Sequence, residues 1–187
     1  MNLGKFFFRH RGVTPYPIVL LFAFFAEPTL FSFAIGLLII AGGEAIRIWS
    51  VAYIGPDSRK LDVQVHQLIT AGPYAQVRNP IYIGNILLYT GATLIANFWM
   101  PYLLVFVWFY FGFQYYNIIH LEEQALEKAF GDEFREYCQK VPSVLPNFSA
   151  GLDRFQQPDY PAALKSERST FISIAGILLL LVLRTIF

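Results

Sequence analysis

The sequence predicts an all-α protein, a polytopic membrane bundle of about five transmembrane helices, on three observations. Of its 187 residues 56% are hydrophobic and only 14% charged, where soluble domains carry about 25%. The apolar residues gather into long runs parted by short polar or proline-bearing breaks, with no strand-like alternation. The lysines and arginines fall in some of those breaks and are absent from others. A formal net charge of +1 says nothing about partners, and no basic stripe suggests nucleic acid.

A helix needs about 20 apolar residues to cross the hydrocarbon core. Candidate runs cover 14–26, 29–54, 81–98, 101–119 and 170–186. The first is short, and Lys5, Arg9 and Arg11 ahead of it imitate a secretory signal. A second long run begins within three residues, however, as a membrane hairpin requires, so the N-terminus is expected to be retained. Glu27-Pro28 divides the first run from the second, because proline in a helix's first turn sacrifices no internal hydrogen bond. Asn97 to Pro101 divides the third from the fourth in the same way, making two tight hairpins.

Both hairpin turns lack basic residues, whereas the N-terminal arm, 55–80 and 120–169 are rich in them. The positive-inside rule then sets the N-terminus and all three basic segments on the cytoplasmic side of an inner or plasma membrane, leaving Arg184 near the far face. Three portions follow: residues 1–54, an arm and first hairpin; 55–148, a core with the second hairpin and cytoplasmic amphipathic helices; and 149–187, a proline-bearing linker and last span. Leu121, Ala125, Leu126, Ala129, Phe130, Phe134, Tyr137 and Cys138 recur at helical spacing, with Gly131-Asp132 as a stop and restart. The lone Cys138 cannot form an internal disulfide and is expected to pack as a small apolar residue.

Polar groups within apolar spans are costly, so they are candidates for function. Glu44 and Arg47, three apart, are close enough to pair on one helix face; a structural ion pair is the plain expectation. Gln114 and Asn117 are expected to join neighbouring helices. Two clusters stand out. In the first, His66 to Tyr74 runs into Val77-Arg78-Asn79-Pro80-Ile81-Tyr82-Ile83-Gly84. Asn79 fits an N-cap and Pro80 a first turn, so the helix's positive end and its free N–H groups would face the cytoplasm. Arg78 adds a guanidinium able to grip a carboxylate or phosphate with two bonds, and Gly84 admits close approach of another helix or a ligand.

The second cluster is His120-Leu121-Glu122-Glu123. Adjacent carboxylates point about 100° apart on a helix, so one is expected to face a ligand and the other a cation such as Arg78 or Arg135. Neither cluster has the Glu-x-x-His order of a bundle metal site, and no metal is expected. From the residues alone this is a bundle with a cytoplasm-facing polar site at helix ends, open to an anionic or zwitterionic ligand. A non-catalytic scaffold whose Arg78 anchors at the phosphate level, or a carrier of lipid phosphates, would use the same arginine.

Across these clusters the chain resembles the isoprenylcysteine carboxyl methyltransferase and phospholipid methyltransferase superfamily of membrane enzymes. The resemblance rests on His66-x-Leu68-x-Thr70-x-Gly72-Pro73-Tyr74-x-x-Val77-Arg78-Asn79-Pro80-x-Tyr82-x-Gly84, on Glu122-Glu123-x-x-Leu126, on Phe130-Gly131-x-Glu133-Phe134-x-x-Tyr137, and on Val141-Pro142-x-x-x-Pro146. Arg78-Asn79-Pro80 stands where the eukaryotic prenylcysteine enzymes have Arg-His-Pro, a form similar to prokaryotic members. The resemblance implies methyl transfer from S-adenosylmethionine to a lipid-like acceptor entering from the bilayer. It implies a cofactor pocket of His66, Leu68, Gly72 and Tyr74, shaped by Arg78, Asn79, Pro80 and Tyr82, with Glu123 and Glu122 at the cofactor or reacting centre. The acceptor is not specified, nor whether O, N or S is methylated; a phosphatidylethanolamine-type amine is one alternative. The last span lies outside the resemblance and is expected to anchor the chain or to join a homo-oligomer.

Overall fold

The computed structural model describes residues 3–55, 67–148 and 157–186, and among these every regular element is a helix. In order these are α1 (Leu3–His10), α2 (Tyr16–Phe25), α3 (Leu30–Ile54), a 3-10 turn at Gly72–Ala75, α4 (Pro80–Ala96), α5 (Tyr102–Phe130), α6 (Asp132–Lys140), α7 (Tyr160–Ser166) and α8 (Arg168–Ile186). Two of them, α3 and α5, are long and apolar enough to cross a membrane, and α7 with α8 makes a third candidate bent by 50°. The 17-residue α4 and ten-residue α2 are apolar but shorter. At 1.5 Å per residue α2 reaches only about 15 Å, half the hydrocarbon thickness. The chain is an integral membrane protein.

Both hairpin turns close at the same end of the bundle. Thr29 and Ser32 cap α3 reciprocally, Ser32 N–H donating to Thr29 Oγ1 (3.1 Å) and Thr29 N–H to Ser32 Oγ (2.9 Å). Asn97 ends α4 with φ 50°, a left-handed conformation that asparagine tolerates. Its amide donates to Glu27 O (3.1 Å), while Glu27 N–H donates to Ala96 O (2.8 Å), which ties one turn to the other.

The tightest packing in the bundle joins α3 to α4. The antiparallel pair meets at glycines seven apart on each helix, Gly36 against Gly91 and Gly43 against Gly84. A Cβ on Gly36 would lie 2.5 Å from Gly91 O, and one on Gly43 would lie 2.8 Å from Gly84 O. With no side chain between them the backbones touch, as small-residue helix pairs do in membranes. Of the two uses expected for Gly84, the structure has the first: the neighbour is helix α3, and Arg47 lies across it.

The N-terminal arm, not among the expected helices, folds as one: α1 packs along α5 and buries Phe8, with the Arg11 guanidinium 4.2 Å over the Phe8 ring. Asn117 does not join helices. Its amide donates to Phe113 O one turn back (2.8 Å), a bond within its own helix. Gln114 is buried, but neither atom of its amide finds a partner among the described residues, so it does not bond helices together either.

Candidate active site

The sharp turn before α4 positions Arg78 and Asn79. Gly72 opens it at φ 61°, in the left-handed region, and its missing Cβ leaves room for the Tyr53 ring, which a methyl would meet at 2.5 Å. Asn79 occupies the N-cap position and Pro80 the first helical one, but the Asn79 side chain does not cap α4. Its amide donates instead to Glu123 Oε1 (3.1 Å) and to Ser143 O and Oγ (3.2 and 3.1 Å).

Arg78 and Glu123, 45 residues apart in sequence, form a forked ion pair with Nε–Oε1 at 3.0 Å and Nη2–Oε2 at 3.3 Å. The third arm of the guanidinium donates to Val141 O (2.6 Å), just past α6, and to Cys138 O (3.3 Å) in its last turn. Arg78 N–H donates to Pro142 O (2.9 Å), and Ser143 Oγ donates to Glu123 Oε1 (3.0 Å). One arginine thus knits the turn before α4, the cytoplasmic end expected of α5 and the strap after α6. Of the two glutamates it is Glu123 that takes the cation, and the cation is Arg78; Arg135 pairs with Glu127 and Asp132 on the exposed surface.

Glu122 turns elsewhere, accepting from Tyr82 Oη (2.8 Å). Tyr137 donates from Oη to Tyr74 O (2.6 Å), and burial raises its phenol above the usual value, so the donor keeps its proton. Tyr74 is itself raised well above its ordinary value, by burial first and by the Glu122 charge second. Its hydroxyl is buried with no partner among the described residues, a rare state for a polar group.

These groups line one cavity of about 990 Å³, at the upper end of the range for small-molecule sites. Leu68, Tyr74, Arg78, Asn79, Pro80, Tyr82, Glu122 and Glu123 all border it. Gly72 is buried in the wall behind Tyr74. His66 lies outside the described residues, and His120 is exposed and contacts Gln124 at 3.0 Å. Away from the charged end the cavity continues between Ile40, Leu88, Tyr89, Ala92, Ile177 and Leu180.

Several lining or supporting residues were not singled out from sequence. Ser143 and Asn85 gave no signal of their own, and Glu167 sits beyond the proline-bearing linker. Arg47 bonds Asn85 Oδ1, donates from Nη2 to Glu167 Oε2 (2.7 Å) and to Thr170 Oγ1 (3.3 Å), and keeps its expected partner Glu44 at 3.3 Å. Among the described residues no three His, Cys, Asp or Glu side chains gather into a set able to hold a metal ion.

A model of the phospholipid methyltransferase family matches residues 31–133. The chain is 33% identical over 99 residues to the protein-S-isoprenylcysteine O-methyltransferase of Schizosaccharomyces pombe, covering 52% of this chain and 39% of that one. Over 116 residues it is 29% identical to the cobalt-zinc-cadmium resistance protein CzcN of Cupriavidus metallidurans and 27% identical to the nickel-cobalt-cadmium resistance protein NccN of Alcaligenes xylosoxydans xylosoxydans, covering 62% of this chain and 49% and 50% of theirs. It therefore spans half or less of the length of these relatives. No solved structure matches it. The family match runs over more than half of the chain and takes in Arg78, Asn79, Tyr82, Glu122 and Glu123, and on that ground this protein belongs to the phospholipid methyltransferase family.

Proposed function

We propose that this protein is an S-adenosylmethionine-dependent membrane methyltransferase acting on a lipid-like or amphipathic acceptor. The observation that carries the reading is the meeting of the Arg78-Asn79 turn with Glu122 and Glu123 at the charged end of a cavity that runs on between apolar helix faces. One enclosure with a polar end and a greasy end suits a water-soluble donor meeting a membrane-dissolved acceptor. The unpartnered Tyr74 hydroxyl and the Glu122 carboxylate, which faces the cavity beside Tyr82, fit a polar and cationic guest.

When bound, the donor supplies a methyl group activated on a sulfonium. We assign its binding to His66, Leu68, Gly72, Tyr74, Asn79, Pro80, Tyr82 and Glu123, and the reacting centre to Arg78, Glu123 and Glu122. His66 enters on the sequence resemblance alone. Arg78 acts chiefly by holding Glu123 still, since four of its five N–H groups are already spent on Glu123, Cys138 and Val141. The work left to such a site is to hold two reactants at attack distance and to exclude water, which the buried aromatic lining favours. Carboxylates beside a cation that is discharged in the reaction aid binding more than turnover, because only interactions stronger in the transition state accelerate it.

An amine acceptor must lose a proton, and Glu122, whose one hydrogen bond from the described residues is Tyr82's, is the group within the cavity able to take it. That favours a phosphatidylethanolamine-type amine as the second reading, ahead of a prenylcysteine carboxylate. We take the chain to cross the membrane about five times, with α2, too short on its own, crossing together with the residues that flank it, and the distribution of lysine and arginine supports a cytoplasmic site. Incubation of the purified protein with labelled S-adenosylmethionine and total lipid extract tests the reading. Label in one lipid product is expected; no transfer together with no binding of S-adenosylhomocysteine by folded protein refutes it.

A further inference from the structure

The bent pair α7–α8 lies beyond the family-matched residues, yet its inner face forms one wall of the cavity. α7 is seated on α3: Asp159 N–H donates to Ala52 O (2.8 Å), and Ala163 packs with Val51 and Ala52. At the joint Glu167, fully buried, binds Arg47 Nη2 at 2.7 Å. The next buried residue along α8 is Leu181, in the main core. From residue 168 to residue 180 none is buried. The fully buried contacts of α8 thus stand about 21 Å apart at 1.5 Å per residue; between them Thr170 accepts from Arg47 (3.3 Å), Ile174, Ile177 and Leu178 pack partly buried against the core, and the cavity lies beside this stretch.

Gly176 stands in that stretch and borders two hollows at once. One is the main cavity; the other is a shallower, mostly apolar recess of about 390 Å³ lined by Ala23 of α2 with Leu179, Leu180, Leu183 and Arg184 of α8. A Cβ on Gly176 would meet nothing within 4 Å. So no close helix contact accounts for this glycine, unlike Gly36, Gly43, Gly84 and Gly91. Leu180 borders both hollows as well, so these two residues stand between the recess and the apolar arm of the cavity, and at Gly176 no side chain fills the space.

We propose that α8, pinned by Glu167 on Arg47 and by Leu181, is the wall that selects the acceptor, and that Gly176 is a side port admitting a single hydrocarbon chain from the bilayer. The proposal rests on the methyltransferase reading for which end of the ligand reaches Glu122. A chain entering at Gly176 lies against Ile177, Leu180, Ile40 and Ala92, all bordering the cavity, so hydrocarbon meets hydrocarbon along its length. A bulky side chain at 176 closes the port without disturbing packing, which makes the position a clean test.

The probe is cis-parinaric acid, a single-chain fluorescent fatty acid, titrated into the detergent-purified full chain. Gly176→Trp is compared with wild type and with Gly42→Trp, since Gly42 is exposed on α3, has open space around it and does not border the cavity. Saturable binding to wild type is expected, at least tenfold weaker in Gly176→Trp and changed less than twofold in Gly42→Trp. Affinity for S-adenosylhomocysteine should stay within twofold in all three. Should Gly176→Trp lose S-adenosylhomocysteine as well, Gly176→Leu takes its place and must weaken the probe while sparing the nucleoside. Equal binding of the probe in wild type and the plugged variant, equal weakening by both tryptophans, or no saturable binding to wild type overturns the port. Absence of S-adenosylhomocysteine binding with the port result intact would sink only the donor assignment.

Discussion

α3 meets α4 backbone against backbone, while α8 meets the bundle through one buried ion pair, one buried leucine and a few partly buried side chains beside a cavity. The first contact is dry, local in its geometry and unforgiving of a single methyl. The second is held by a few groups across open space. The difference teaches where this small bundle keeps rigidity and where it keeps room: the seam fixes Arg47 and the start of α4, and the loosely held helix leaves a space for a guest.

The strongest way to break the contrast is to add bulk to the seam. In Gly43→Leu the new Cβ lies 2.8 Å from Gly84 O and 2.9 Å from Leu87 Cβ, both on a helix that cannot yield alone. A loss of about 3 kcal/mol or more is expected, read as thermal unfolding in detergent. Arg78→Ala comes next. It strands Glu123 in a site where the two side chains are 13% and 23% exposed, so about 2 kcal/mol is expected, less than the cost of breaking a fully buried pair. Arg78→Lys should recover little of it, because an ammonium cannot reproduce the fork.

Freeing α8 should cost less globally and more locally. Glu167→Gln keeps a hydrogen-bonding oxygen but removes the charge from Arg47, which retains Glu44. With Cys138→Ser as background, thiol labelling at Ala163→Cys, buried against Val51 and Ala52, should quicken about tenfold, or about 1.4 kcal/mol, with little change in the melting of the whole. Unchanged labelling would mean that the ion pair does not hold the helix. The smallest effect is expected at Tyr137→Phe, about 1 kcal/mol for one hydrogen bond to Tyr74 O. Its pH sign is definite. The folded phenol is raised above its unfolded value, so its contribution is complete below about pH 10 and drains away as pH rises further, and the phenylalanine variant should lack that alkaline decline.

How much of this was legible depends on the range of each interaction. The helical class followed from composition, and the Arg78-Asn79-Pro80 turn from local chemistry. That one glutamate of the pair would take a cation also followed, since neighbouring helical residues diverge. The choice of Glu123 for Arg78 did not, because it depends on the strap after α6 bringing Val141 and Ser143 to the same arginine. Arg47 to Glu167 spans 120 residues with no local trace. The cavity-facing side of α8 was invisible for another reason: a helix apolar all round shows no stripe to say which face looks inward. The arm before the first run read as a basic flank, although Phe8 buries as part of the core. The glycines of α3 and α4 recur at a heptad spacing on both helices, a signal that was present and carried the seam unseen.

The account turns on the Arg78-Asn79 turn and the Glu122-Glu123 helix end forming a single nucleoside-sized enclosure. Calorimetric titration of S-adenosylhomocysteine into wild type, Asn79→Ala, Glu122→Ala and the double variant measures this directly. Saturable binding to wild type is expected, weakened at least tenfold by each single change, with the double variant falling short of the product of the two because both segments grip one ligand. Folded wild type that takes up no S-adenosylhomocysteine, or single variants that bind it as wild type does, would contradict it.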